Sequence, residues 1–204
     1  MVSSQLQESL VCPACRLDVC LCAPSGDCLR CDGCGRQYPI VDGIPMMVVD
    51  ELLVGGAYGS AATRVRGYYD TTADLYDQWT VDPPIDRLVD DVNWEEFRRF
   101  LGPRKLERCL DLACGTGRDL DRLLAIGESV IGVDISHPML SKARKRASKA
   151  ELICGEVTHL PLRDALFDLV VIDGSLHHFF AQGEAIAEAC RVLSGGGLLV
   201  LLGG

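Results

Sequence analysis

No stretch of the chain approaches the ~20 continuous apolar residues that a membrane-spanning helix needs. The opening MVSSQLQESLV lacks the basic and apolar regions of a secretory signal, which points to the cytoplasm. Positive charge is also scarce. Lys and Arg number 20 against 29 Asp and Glu, a net charge of −9. That argues against a broad nucleic-acid surface, whose affinity comes mostly from basic residues on phosphates. There is no internal repeat and no low-complexity tract. What remains is 204 residues, 48% of them hydrophobic. This is enough for one medium domain with a real core, plus something small.

The 11 cysteines are an odd number in a chain without a signal, which disfavours a disulfide framework. Seven lie before residue 35, and two pairs stand out, CPAC and CDGC. Cys12, Cys15, Cys31 and Cys34 form C-x2-C, fifteen residues, C-x2-C, the spacing of a structural zinc site. Each short turn brings two thiolates to one metal, and two turns complete a tetrahedron. Cys20, Cys22 and Cys28 are left over, as bystanders or competitors for the metal. Cys109, Cys154 and Cys190 are scattered, and Cys114 is a small filler.

The second knuckle continues as CGRQYPIVDGIPMMV. Cys31, Cys34, Gly35, Arg36, Tyr38, Pro39, Asp42, Gly43, Ile44 and Pro45 resemble the second knuckle of small bacterial-type zinc ribbons. The resemblance covers residues 1–50 and implies a metal-dependent module, because so small a ribbon cannot bury enough surface alone. Residues 51–66 are rich in Gly and Ala and read as a linker. The next segment, YYDTTADLYDQW, places Tyr69 and Tyr76 seven apart, on one helical face.

From about Asp86 helical and apolar segments alternate. IDRLVDDVNWEEFRRFLG is an amphipathic helix. RCLDLAC, SVIGVDIS, AELICGEV, FDLVVIDGSL and GLLVLL read as strands, with helices at GRDLDRLLAIG, PMLSKARKRASK and GEAIAEACRVL. Such alternation implies βαβ units and a parallel α/β sheet. The strands lack period-two patterning, as expected when both faces are covered. In LDLACGTGRDL, Gly115 and Gly117 let backbone approach a ligand closely, but Leu120 stands where a dinucleotide fold wants a third glycine. Asp111 sits at the strand end before the glycines.

This loop resembles motif I of the class I S-adenosylmethionine-dependent methyltransferases. The resemblance spans residues 67–204 and implies a doubly wound, mostly parallel, Rossmann-like sheet. Asp134, 23 residues after Asp111, matches the family's ribose-binding acid. Met139 matches the residue beside the adenine, and Glu156 stands for the usual aspartate on the adenine amino group. Ala113 replaces a frequent glycine. FDLVVIDGSLHHF resembles motif IV with its L-H-H ending, and Tyr69 and Tyr76 match a lid over the cofactor. The implied cofactor-binding residues are Tyr69, Tyr76, Asp111, Ala113, Gly115, Gly117, Asp134, Ile135, Met139, Glu156, Val157 and Asp173. His177 and His178 are the candidate bases.

The implied reaction is in-line methyl transfer to a small molecule: an enol, phenol, amine or carboxylate. RNA is the alternative acceptor, since some RNA guanine methyltransferases carry an N-terminal zinc module. The ribbon's three arginines against six acids argue otherwise. A third reading is a cofactor-binding or interaction protein without turnover. Lys142, Arg144, Lys145, Arg146 and Lys149 read as a solvated helix face. The family sheet has seven strands, and this sequence stops after the fifth. The expectation is a sheet truncated before strands six and seven, its apolar edge at Leu198–Leu202 available for pairing with a second copy.

Overall fold

The computed structural model describes residues 2–22, 26–53, 56–80 and 84–203. It holds two sheets. The first is a four-stranded antiparallel meander of β1 (Val19–Leu21), β2 (Cys28–Cys31), β3 (Gln37–Val41) and β4 (Ile44–Pro45), preceded by α1 (Ser4–Ser9). The Ser3 hydroxyl caps α1 by accepting from the Leu6 N–H. The structure joins Cys22 and Cys28 by a disulfide across the β1–β2 hairpin, at a Cα–Cα distance of 5.3 Å. Two of the three leftover cysteines thus pair with each other.

Residues 51–66, read from sequence as the linker, are helical where described. α2 (Asp50–Leu53) is followed by α3 (Gly56–Thr80), and residues 54–55 lie outside the described set. Alanine is the strongest helix former. Ala61 and Ala62 are 5% and 9% exposed, so the small residues serve close packing instead of flexibility. α4 (Pro84–Leu101) ends at Gly102, whose φ of +64° suits a helix stop.

The second sheet is wholly parallel: β5 (Leu106–Leu112), β6 (Gly127–Asp134), β7 (Glu151–Cys154), β8 (Phe167–Asp173) and β9 (Leu193–Leu202), in the order β7-β6-β5-β8-β9. The connecting helices are α5 (Leu120–Leu124), α6 (His137–Arg146) and α7 (Gln182–Val192). Ser136 caps α6 and Pro138 follows in its first turn. This is the doubly wound architecture read from the alternating pattern.

Alternate strand residues face opposite layers. Cys109, Val130, Leu152, Leu169 and Val171 pack against Trp94 and Phe97 of α4, Leu120 and Leu123 of α5, and Leu140 and Ala143 of α6. Leu110, Leu112, Ile131, Val133, Val170 and Ile172 share a core with Ala189 and Val192 of α7. That same core takes in Leu6, Leu10, Leu29, Tyr38 and Met47 of the N-terminal segment. The small meander therefore borrows the face of the large sheet for its own burial. β9 is the other edge. It pairs with β8 alone among the described strands, and Leu201 is half exposed there.

Candidate active site

The strand order reverses direction between β5 and β8. Ligands of doubly wound sheets bind at the carboxyl ends of the strands beside such a switch point. A cavity of about 440 Å³ opens there, within the range of small-molecule sites. The loop after β5 contributes Ala113 and Gly115, β6 contributes Asp134, and β8 contributes Asp173 followed by Gly174 and Ser175. Ala113 and Gly115 both hold left-handed backbone, at φ +59° and +53°. That is why glycine is common at the first position.

Asp134 is 7% exposed and accepts from the N–H groups of Gly115 (2.9 Å) and Ser136 (2.8 Å). Burial pushes its pKa up to about 6, against the pull of those two N–H groups. Burial and Asp119 likewise push Asp173 up to about 6. The walls continue through Ile135, Met139, Glu156, Val157 and Thr158. Glu156 accepts from the Thr158 N–H at 2.8 Å and also bonds the Thr158 hydroxyl.

α3 covers the cavity with Tyr69, Tyr76 and Trp79. The Tyr69 ring meets Tyr76 edge-on at 5.9 Å and His178 at 5.7 Å. On the same helix, Asp70 accepts from the Ser136 hydroxyl (2.7 Å). Asp77 accepts from the Thr116 hydroxyl (2.5 Å) and from Arg146 (2.9 Å). Lys142 pairs with Asp74. The basic face of α6 is thus turned partly against α3, where the sequence reading had it solvated.

Ten of the twelve expected cofactor-binding residues line this cavity, and His177 and His178 line it too. Asp111 and Gly117 do not. Asp111 is 3% exposed, its Oδ2 has no hydrogen-bond partner, and burial followed by Asp119 and Asp173 raises its pKa. It lies on the strand face shared with Cys109, within electrostatic reach of Asp119 and Asp173. Gly117, at φ +78°, is a packing glycine: a Cβ there would stand 2.9 Å from that of Ala143. His177 and His178 lie in a 3-10 turn after β8. Burial, and then His177, lower the pKa of His178.

Sequence reading missed Arg118, Thr158 and Ser175. Arg118 lines the cavity but is held by Asp173 (2.6 Å), Asp90 (2.9 Å) and Asp119 (3.3 Å). The Ser175 hydroxyl is buried without a partner. The adjacency of Arg118 to the glycine loop was the available signal, but two of its three acids, Asp90 and Asp173, come from distant segments.

The four paired cysteines of the N-terminal segment also converge. One Sγ from each of Cys12, Cys15, Cys31 and Cys34 lies within 4.8 Å of the others. Zn–S bonds of about 2.3 Å in a tetrahedron need sulfurs about 3.8 Å apart, so the donor set fits zinc. The Gly33 and Cys34 N–H groups donate to the Cys31 sulfur. Burial pushes that thiol up, but donation from Cys34, Cys15 and Gly33 brings it down to about 7.

Sheet order, glycine loop and acidic strand ends define a doubly wound fold with a nucleoside-sized site. Residues 110–201 match the family model described as a methyltransferase domain, which supports a class I methyltransferase. The chain is 33% identical to the ubiquinone/menaquinone biosynthesis C-methyltransferase UbiE of Ruegeria sp. (strain TM1040), over 69% of this chain and 59% of that protein. It is 33% identical to the demethylmenaquinone methyltransferase of Beutenbergia cavernae, over 67% of this chain and 56% of that one. It thus spans less than two thirds of these curated relatives. Among solved structures, the PH0226 protein from Pyrococcus horikoshii OT3 aligns with a TM-score of 0.56 at 28% identity, over 66% of this chain and 64% of that one. The N-methyltransferase NodS from Bradyrhizobium japonicum WM9, in complex with S-adenosyl-L-homocysteine, shares the fold, with a TM-score of 0.58 at 19% identity over 67% and 71% of the two chains.

Proposed function

We propose that this protein is a cytoplasmic S-adenosylmethionine-dependent methyltransferase that acts on a small, hydroxyl-bearing aromatic molecule. In this reading residues 1–50 form a zinc ribbon and residues 67–204 the catalytic domain. The observation that carries it is the cavity, which gathers Asp134, Met139, Glu156 and the two tyrosines at the switch point. Asp134 would hold the ribose and Glu156 the adenine end. Ala113 and Gly115 would leave room for backbone contact, and Tyr69 and Tyr76 would cover the bound molecule.

The cofactor supplies an activated methyl group, so the chain's task is chiefly orientation and exclusion of water. The remaining wall, Ala62, Val65, Tyr68, Phe179, Phe180 and Ala181, is uncharged. Arg118 is already engaged by three acids, which disfavours a carboxylate acceptor. Two of the ribbon's three arginines are engaged as well, Arg16 by Glu188 and Arg36 by Glu51, which weighs against an RNA grip. Two relatives are named for methylation in quinone pathways, so demethylmenaquinone in its reduced, hydroquinone form is the first acceptor to try. Methyl label from S-adenosylmethionine should enter it or simple phenols. Label entering extracted RNA alone would overturn the reading.

His178 is the better placed base. Its lowered pKa keeps the imidazole neutral at pH 7 and able to take a proton from an acceptor hydroxyl. The rate should rise with pH through a midpoint below 6.5 and then level off. His178→Ala should lower kcat about 100-fold, a typical general-base contribution, with the midpoint gone. A flat profile in the parent protein removes the base from the mechanism.

The aspartates of α3 act on the lid. Asp77→Asn keeps a Thr116 partner but loses the charge facing Arg146. A charge-assisted bond here is worth about 1 kcal/mol or more, so S-adenosylhomocysteine should leave roughly fivefold faster in stopped flow. An unchanged release rate would show that α3 does not gate the site.

A further inference from the structure

The ribbon touches the large sheet at a particular place. The segment between β7 and β8 carries Glu156, Val157 and Thr158 into the cavity, and both of its ends are held by the N-terminal residues. Before it, the Cys154 carbonyl accepts from the Met47 N–H (2.7 Å), and Met46 bridges Cys154 in parallel. After it, the Pro161 carbonyl accepts from the Val11 N–H (3.0 Å), the Arg163 N–H donates to the Ser9 carbonyl (3.0 Å), and Leu10 bridges Leu162. Leu10, Leu160 and Leu162 are fully buried at this seam.

Arg16 ties the seam to the metal knuckle. It follows Cys15 directly and sits at φ +64°, and its own N–H donates to the Cys12 carbonyl (2.8 Å). Its Nη1 donates to the Leu160 carbonyl and its Nη2 to Glu188 Oε2, both at 2.7 Å. The same Glu188 oxygen accepts from the Leu160 N–H at 2.9 Å. The direction in which this guanidinium points is therefore set by the Cys12–Cys15 turn. A non-glycine residue keeps left-handed backbone only where its surroundings over-determine it.

We propose that the ribbon is a brace for the cofactor-facing loop. The metal-held Cys12–Cys15 turn aims Arg16, and Arg16 with the Val11 and Met47 backbone holds the loop that presents Glu156 and Thr158. Arg16 is a positioning residue, and metal binding and cofactor binding are coupled through it. This rests on the cofactor reading of the cavity. Coupling of this kind is reciprocal: whatever factor zinc adds to cofactor affinity, the cofactor adds to zinc affinity.

The test uses the full zinc-loaded chain and S-adenosylhomocysteine as probe, by calorimetry. Arg16→Met should weaken binding about tenfold, with one zinc per chain retained. Arg16→Lys should recover part of the loss, because an ammonium can serve one of the two acceptors without the guanidinium's fork. A second measurement needs no variant: saturating S-adenosylhomocysteine should raise zinc affinity in chelator competition by about the same tenfold. Equal dissociation constants for the parent and Arg16→Met proteins overturn the proposal, as does a zinc affinity indifferent to the probe. A parent protein that binds no S-adenosylhomocysteine overturns the cofactor reading itself, and the brace with it.

Discussion

Cys31→Ser is expected to purify without zinc and to lose the ordered β1–β4 meander. Metal binding energy in structural zinc sites is about 10–16 kcal/mol and is folding energy outright, because the unfolded chain has no site. Losing one of four ligands removes a share of that, about 3 kcal/mol at the least. Most domains have only ~5–15 kcal/mol in hand. The loss should also reach the large sheet. Leu6, Leu10, Leu29, Tyr38 and Met47 share one buried cluster with Leu110, Leu112, Val170 and Ile172. Cys31 itself is 1% exposed within that cluster. The thermal transition should therefore fall for the whole chain, not only for its first fifty residues. Cys20→Ser is the matched control, since that exposed thiol stands outside the tetrad. One zinc per chain in Cys31→Ser, or none in the parent protein, would end the zinc assignment.

Period and spacing made the parallel sheet legible, because each apolar run must be covered on both faces and the intervening helices are amphipathic. The strand ends were legible for the same reason, while Asp134, Asp173 and the glycine loop were singled out by the family resemblance. Asp111 shows the limit. Its place at a strand end was readable, but the face it points to depends on parity within the strand. That parity puts it on the face of Cys109. The segment at 51–66 misled because small residues serve both mobile linkers and closely packed helices, and only burial of Ala61 and Ala62 separates the two. Arg118 and the α3 aspartates went unread as site groups because partners that fix them lie far along the chain: Arg118 meets Asp90 and Asp173, Asp70 meets Ser136, and Asp77 meets Thr116 and Arg146. The seat of the N-terminal segment on the sheet was hidden for a related reason. A sequence shows that fifty residues cannot bury themselves, but not what they lean on.

Asp134→Ala should weaken S-adenosylhomocysteine binding by at least tenfold, and more where both ribose hydroxyls donate to this carboxylate. Two charge-assisted bonds at about 1.5–3 kcal/mol each set the upper range, and tenfold is about 1.4 kcal/mol. The apo protein bears a cost for having this group ready. Burial raises its pKa from 3.8 to about 6. Between those values the folded chain binds more protons than the unfolded one, so this carboxylate subtracts stability as pH rises through that window, by about 3 kcal/mol in all. Hydroxyls donating to the ionised form would bring the pKa back down, and binding at pH 6 should release protons. The calorimetric heat should then depend on the buffer's ionisation enthalpy in the parent protein, and much less in Asp134→Ala. Asp134→Asn separates the carboxylate's two tasks. An amide oxygen can still accept from the Gly115 or Ser136 N–H and keep the loop in shape, but it carries no charge for the ribose. It should therefore bind about as poorly as the alanine variant while staying closer to the parent protein in stability. Parent-like affinity in both variants would place the ribose elsewhere in the cavity, and would leave Asp134 as a buried acid that only pins the glycine loop.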